Sequence, residues 1–437
     1  MSIGGFVRRT LYYTNDFLYN NGRNYKLFKE IKEINNSSRS IGMPKISLKL
    51  DALLKHACKT TEFYSQFNGI KLEEFPVINK NTIIENREKM QSNIFKGKKL
   101  HEMHTSGSTG IPFVIQQDMR KRAHVIAELK ASSDEAGYKS HEKMMYILGS
   151  THVRPYSAKQ EFCENIYRIS VSVNDEFTMK KMVDFLIKKK PVAIHASASS
   201  LPPLINYIKK SNISSRLFKV RTVITGGEMV PVGLRENIQN VFGPKCKVIV
   251  KYASEELGIL AQDSGINTPY KLNVANYHFE ILQLNSDKPC NLGESGRIVI
   301  TDLYNYALPL IRYDTGDIGT LIEQSSDSWP VLVDLNGKRR DLIFDTLGNS
   351  ISGATITSLL KYIKNVRQYQ LVQEAEKTYV LKVIVDKGII PTNEDLMISE
   401  LKNLLGQDAD VRSEIIDEVI TTRSGKTRYT VNLYKPQ

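Results

Sequence analysis

The sequence predicts an α/β protein: a large N-terminal body with mostly parallel sheets flanked by helices, a small β-subdomain on that body, and a small C-terminal α+β domain. Three observations carry this expectation. From about residue 140 to residue 252, short apolar runs alternate with helical stretches, which means strand–helix–strand crossovers and a sheet covered on both faces. Between about 270 and 335 the helical periodicity disappears, and short strands separated by glycine-bearing turns take over. After Gly337 the alternation restarts for about 100 residues, enough for one further folding unit.

In chain order, the first 75 residues read as amphipathic helices. Leu50, Leu53, Leu54, Ala57 and Tyr64 recur near i, i+3, i+4 spacing, and Asn35-Asn36-Ser37-Ser38 marks a break. Met144 to Leu148 reads as a strand, Met179 to Ile187 as a helix, and Val192 to Ala196 as a strand. Leu204 to Ile208 is a helix, Val220 to Thr225 a strand, Leu234 to Phe242 a helix and Lys247 to Tyr252 a strand. Arg297 to Thr301 and Ile318 to Ile322 represent the strand-rich segment. The last unit runs as a strand at Leu342 to Phe344, a helix at Thr355 to Tyr362 and a hairpin across Glu374-Ala375-Glu376-Lys377. A helix at Glu394 to Leu405 and a strand at Glu414 to Val419 complete it.

Composition narrows the function classes. Hydrophobic residues make up 41% and charged residues 24% of the 437, which excludes a disordered, collagen-like or coiled-coil chain. No apolar run approaches the roughly 18 residues a membrane span needs. The net charge of +13 is concentrated at the start, where residues 1–100 hold 18 Lys or Arg against 9 Asp or Glu. No nucleic-acid-reading motif accompanies those cations, so no nucleic-acid partner is expected, and a solvated basic face outweighs a polyanion or membrane-surface contact. Cys58, Cys163, Cys246 and Cys290 are scattered without a CxxC pair, a pattern that suits a reducing compartment. Arg8-Arg9 is followed by no apolar signal core, so the expected location is cytoplasmic.

The strongest local motif is Thr105-Ser106-Gly107-Ser108-Thr109-Gly110-Ile111-Pro112. Its glycines and hydroxyls allow backbone N–H groups and side chains to wrap phosphate oxygens, although alone such a stretch is more often a turn. It is not a Walker loop, which requires Gly-Lys-Ser/Thr after a four-residue gap. Gly226-Gly227-Glu228 follows the strand Val220 to Thr225 at its C-terminal end, where open α/β sheets bind ligands. Tyr252-Ala253-Ser254-Glu255-Glu256 follows the strand ending at Val250 in the same way. Arg312-Tyr313-Asp314-Thr315-Gly316-Asp317, then Gly337-Lys338-Arg339-Arg340-Asp341, then Ser424-Gly425-Lys426 complete the series. Each has a plain reading as turn chemistry or surface charge; their order and spacing do not. His195, at the turn after Val192 to Ala196, is a candidate substrate contact.

This series resembles the adenylate-forming acyl/aryl-CoA synthetase superfamily, in the branch of phenylacetate-CoA ligases and CapK-like proteins of capsular polysaccharide loci. The resemblance runs from about Phe75 to Lys426. Phe75-Pro76-Val77-Ile78-Asn79-Lys80 resembles that branch's Pro-x-x-x-Lys segment, and Leu308-Pro309-Leu310-Ile311-Arg312-Tyr313 its Pro-Leu-Ile-Arg-Tyr segment. It implies a helical N-terminal region at 1–75, an adenylate-forming domain at 76–338 and a mobile C-terminal domain at 339–437. It further implies that a carboxylic acid attacks the α-phosphate of ATP, releasing pyrophosphate, and that the acyl-adenylate passes its acyl group to CoA.

By the same resemblance, Thr105, Ser106, Gly107, Ser108, Thr109 and Gly110 hold the β- and γ-phosphates. Glu256 helps hold Mg²⁺ and is counted with Lys426 as catalytic. Gly226, Gly227, Glu228, Tyr252, Ala253 and Ser254 flank the adenine, and Asp317 and Lys338 meet the ribose. Lys426 reaches the α-phosphate and carboxylate oxygens, and Arg340 and Asp341 form the hinge. The sequence departs from the family pattern in places. Ala253 stands where Gly is usual, Glu255 adds an acid that leaves Glu255 and Glu256 as alternatives at the metal, and Lys338 stands for Arg. Two alternatives accompany this expectation: transfer to an amine of a sugar or surface-polysaccharide precursor, and a non-catalytic polyanion-binding or assembly protein on the same fold. Self-association of the helical N-terminus into a homodimer is a further expectation. The identity of the acid has no readable code.

Overall fold

The fold is that of a computed structural model describing residues 3–69, 71–105, 113–148, 156–170, 176–228, 230, 233–265, 269–335, 342–351, 356, 359, 366, 368–385, 393–417 and 428–434. The chain opens with α1 (Ile3–Asn20), α2 (Arg23–Asn36) and α3 (Arg39–Thr60), and the interruption at Asn35 to Ser38 falls between the last two. Then comes α4 (Lys80–Met90), whose N-cap Asn79 accepts from the backbone N–H groups of Asn81 and Thr82 in a capping box. An antiparallel hairpin of β1 (His101–Thr105) and β2 (Phe113–Gln117) precedes α5 (Met119–Glu135), capped by Asp118.

The crossover region runs β3 (Met144–Leu148), α6 (Ala158–Glu164), β4 (Ile166–Ser170), α7 (Glu176–Lys189), β5 (Ala193–Ser197), α8 (Leu201–Lys210), β6 (Thr222–Gly226), α9 (Leu234–Phe242) and β7 (Lys247–Ser254), the expected alternation with one further helix–strand pair, α6 and β4. β8 (Gly258–Gln262), β9 (Tyr270–Leu272), β10 (Tyr277–Leu282), β11 (Ser295–Asp302), β12 (Tyr313–Ile322) and β13 (Val331–Val333) follow. All of these from β3 onward join one eleven-stranded sheet of order β10-β11-β12-β13-β9-β8-β7-β6-β5-β3-β4. Strands β3 to β7 are mutually parallel, whereas every pairing from β7–β8 to β10–β11 is antiparallel. Thus the sheet is mixed, and the β-rich segment on the body extends it edge to edge. The physical reason is connection length: helical crossovers permit parallel neighbours, whereas the short turns after Ser254 permit antiparallel ones.

One face of the parallel half is sealed by α7, α8 and α9 through Met182, Leu186, Leu204, Ile205 and Ile238, packed on Ile147, Ile194, Val223 and Val248. A larger core joins α2, α3 and α5 to the antiparallel half, with Phe28, Ile31, Leu53 and Ala127 meeting Leu260, Leu272, Ile298 and Ile300.

The small C-terminal domain contains β14 (Ile343–Phe344), β15 (Ser350–Ile351), β16 (Gln368–Ala375), β17 (Thr378–Ile384), α10 (Glu394–Leu405), β18 (Asp410–Ile415) and β19 (Thr430–Asn432). Its four-stranded sheet has order β18-β17-β16-β19 and its own core of Leu371, Tyr379, Leu381, Met397, Leu401 and Leu405. Its strand expected at Glu414 to Val419 lies earlier, because parallel pairing with β17 begins at Asp410 opposite Thr378. The helix expected at Thr355 to Tyr362 falls almost wholly outside the described residues.

Candidate active site

The site is assembled where β7 and β12 meet the hairpin and α4. Tyr252 and Asp317, distant in sequence, are both buried, and the Tyr252 hydroxyl donates to Asp317 Oδ2 at 2.9 Å and approaches Thr315 Oγ1 at 3.3 Å. Burial, with the Asp317 carboxylate beside it, raises the Tyr252 phenol well above its ordinary pKa, so it stays a proton donor. A carboxylate offers about four acceptor positions, so holding Tyr252 uses only part of what Asp317 can accept. The strand expected at Lys247 to Tyr252 runs two residues further, so β7 takes in Ala253 and Ser254. The continuation follows from the β7–β8 hairpin, which supplies those residues with a partner strand and a register shift at Tyr252/Ala253.

Glu256 is buried and Glu255 exposed. The Tyr313 hydroxyl donates to Glu256 Oε1 at 3.1 Å, and Lys80 Nζ lies 3.6 Å from the same oxygen. Burial and Glu256 raise the Tyr313 phenol well above its usual range. Lys80 also sits 5.1 Å over the ring of Phe113, and Gln117 Nε2 donates to the Glu256 carbonyl at 3.3 Å. The hairpin is therefore anchored on the Glu256 segment. Its strands are closed by the Thr105–Phe113 pair, so the Ser/Thr/Gly loop starts and ends at this point. Ser106, Gly107, Ser108, Thr109 and Gly110 themselves lie outside the described residues, as do Lys338, Arg340, Asp341 and Lys426.

The connection to α4 is made by backbone: Ile78 N–H donates to Arg312 O at 3.0 Å, and Asp314 N–H to Ile78 O at 2.8 Å. Arg312, at φ 51°, is fixed by Glu280 and by the carbonyls of Glu73 and Phe75. These contacts bring Lys80 and Tyr313 to Glu256. Neither Lys80 nor Tyr313 has a role readable from the sequence alone; the proline-flanked spacing of their two segments is the available signal.

Gly226 ends β6 beside Lys251 of β7, and Glu228 Oε1 accepts from the Ser199 N–H at 2.6 Å. A Cβ on Gly226 would collide with the Lys251 carbonyl, so the close strand approach requires glycine here. His195 does not open a turn. It lies inside β5, which runs on to Ser197 because Ser197 still pairs with Gly226, and its ring stacks on Tyr146 at 4.6 Å and 6°. Burial, reinforced by the nearby Lys251 ammonium, pushes its pKa down to about 3, so it is a neutral imidazole.

Among the described residues no group of three or more His, Cys, Asp or Glu side chains forms a metal cluster. Glu256 is instead a single buried carboxylate beside the β1–β2 hairpin. That fits Mg²⁺, which is commonly held by one or two carboxylates together with substrate phosphates.

A mixed eleven-stranded sheet with a small C-terminal α+β unit is the fold of adenylate-forming ligases. The chain resembles the adenylate-forming superfamily, in its CapK-like and phenylacetate-CoA ligase-like branch. Residues 343–433 match the CapK C-terminal domain. The chain is similar to protein CapK of Staphylococcus aureus, with 23% identity over 399 residues and 86% of each chain covered. It is also similar to the phenylacetate-coenzyme A ligase of Pseudomonas putida, with 24% identity over 278 residues and 62% of each chain covered, under two thirds of that enzyme's length. A crystal structure of 2-hydroxyisobutyryl-CoA ligase in the postadenylation state, in complex with R3-HIB-AMP, shares the fold. Its TM-score is 0.69 at 15% identity, with 90% of each chain covered.

Proposed function

We propose that this chain activates a carboxylic acid with ATP, forming an acyl-adenylate and pyrophosphate, and then passes the acyl group to CoA. The observation that carries the reading is that Asp317, held by Tyr252, and Glu256, held by Tyr313 and Lys80, are brought together by β7 and β12, with the β1–β2 hairpin anchored on the Glu256 segment. In the first step a carboxylate oxygen attacks the α-phosphorus, and the bond to the β-phosphate breaks to release pyrophosphate. In the second, a thiolate attacks the acyl carbon and AMP leaves.

Asp317 accepts the ribose hydroxyls, while the Tyr252–Gly226–Glu228 edge flanks the base. The hairpin loop Thr105 to Gly110 wraps phosphates, with the Lys80 ammonium offsetting their charge. Mg²⁺ on Glu256 neutralises phosphate charge when bound. Residues 339–437 act as a mobile domain, hinged at Arg340 and Asp341, that brings in Lys426; Lys338 assists at the ribose. His195, stacked on Tyr146 of the neighbouring strand, contacts the acid.

The test is ATP–pyrophosphate exchange over a panel of aryl, fatty and amino acids. Exchange that depends on one class of acid supports the reading. No exchange with any acid, together with salt-sensitive heparin binding, supports the non-catalytic alternative. Adding CoA or candidate amines to the preformed adenylate then identifies the acceptor.

A further inference from the structure

Helix α1 turns Gly5, Asp16 and the half-buried Arg8, Arg9, Tyr12 and Tyr13 toward the body. Its opposite face carries Ile3, Val7, Leu11, Thr14 and Leu18 at successive i+4, i+4, i+3 and i+4 steps, flanked by Phe6 and Phe17. Ile3, Leu11 and Leu18 are 86%, 62% and 72% exposed, far more apolar surface than scattered single residues would give. The helix's one acidic residue, Asp16, is buried and accepts from the backbone N–H groups of Asn24 and Tyr25, so the outward face carries no negative charge.

A cationic group begins at the helix's body-facing margin, with Glu161 and Glu164 of α6 as the acids near it. Arg8 sits 4.6 Å over the ring of Phe162, itself 66% exposed. Lys143 donates to the carbonyl of Lys189, and the charges of Lys189 and Arg8 both act on its ammonium. Lys188, Lys189 and Lys190 are exposed at the end of α7.

We propose that α1 is a membrane-interface helix that lays its Ile3–Leu18 face into the surface of an anionic lipid bilayer. An apolar stripe beside basic residues is the arrangement that combines acyl-chain burial with attraction to anionic headgroups. Among the described residues no helix is long and apolar enough to cross a membrane, so the contact is peripheral. A second copy of the chain is the poorer occupant. A two-fold interface sets the same patch against itself, so it would bring together two copies of the like-charged group Arg8, Lys143 and Lys189. The proposal does not depend on the acid-activating reading.

The experiment mixes the full chain with sedimentable vesicles of phosphatidylcholine alone, and of phosphatidylcholine with about one third phosphatidylglycerol. The chain should sediment with the anionic vesicles and bind neutral ones about tenfold more weakly. Leu11→Asp with Leu18→Asp should lower anionic-vesicle binding about tenfold or more. Its circular dichroism and thermal midpoint should match wild type, because both residues face outward. Lys188→Glu with Lys189→Glu should weaken only the anionic component. Wild-type chain left in the supernatant, heparin binding without vesicle binding, or equal vesicle binding by the Leu11/Leu18 variant would overturn the proposal. A dimer seen by light scattering and split by the Leu11/Leu18 variant would assign the face to a second copy instead.

Discussion

Replacing Asp317 with alanine separates its two roles, because the same carboxylate holds Tyr252 and is proposed to hold the ribose. Tyr252 and Asp317 are 8% and 7% exposed, so little water is available to replace the lost acceptor. Orphaning a buried hydroxyl costs about 1–3 kcal/mol, and Thr315 Oγ1 at 3.3 Å keeps the Asp317→Ala cost near the lower end. Two ribose bonds to a charged acceptor, at about 1.5–3 kcal/mol each, set the nucleotide loss at roughly 10² to 10⁴ in affinity. Asp317→Asn keeps an oxygen for Tyr252 but loses the charge, and should fall about 10- to 100-fold. Tyr252→Phe removes only the donor and should change ATP affinity less than about fivefold. Calorimetry with a non-hydrolysable ATP analogue, paired with thermal unfolding, reads both quantities. Wild-type affinity in a folded Asp317→Ala variant, or a larger loss in Tyr252→Phe than in Asp317→Ala, would refute the reasoning.

Three further outcomes are expected. Gly226→Ala should destabilise the chain by about 1–3 kcal/mol in chemical unfolding, because its Cβ meets the Lys251 backbone and not a yielding side chain; unchanged stability contradicts the close approach. Burial holds the Lys251 pKa down at about 8 against an ordinary 10.5, so between those values the unfolded chain binds the proton that the folded chain has released. Stability should therefore rise with pH across that window, and Lys251→Met should lose the rise; parallel pH–stability curves for the two proteins would refute it. Lys426→Ala should lose adenylation by about 10² or more yet still transfer an acyl group from supplied acyl-adenylate, whereas Arg340→Pro should do the reverse. Equal failure of both folded variants in both half-reactions would end the alternating-domain proposal.

Local patterning carried the fold further than it carried the site. Helix Leu234–Phe242 and helix Glu394–Leu405 appear with the bounds read from periodicity, and the strands from Met144 to Tyr252 shift by no more than two residues at an end. Those elements are set by burial along a few turns of chain. Pairing is not local: nothing in the run Tyr313–Ile322 says that it joins the crossover strands in one sheet through β13 and β9. The same limit hid the site's supports. Lys80, Tyr313 and Glu256 meet only because β12 binds the segment before α4, and His195 looks like a turn residue until the Ser197–Gly226 pairing prolongs its strand. Burial, likewise invisible in the sequence, is what distinguishes the inward Glu256 from the exposed Glu255.

The most direct test of the central proposal is the nucleotide product formed from MgATP with CoA and a mixture of carboxylic acids, resolved by chromatography. The account predicts AMP and pyrophosphate in equal amounts, matched by acyl-CoA, and none of the three when the acids are left out. ADP with inorganic phosphate, or nucleotide turnover indifferent to the acids, would contradict it.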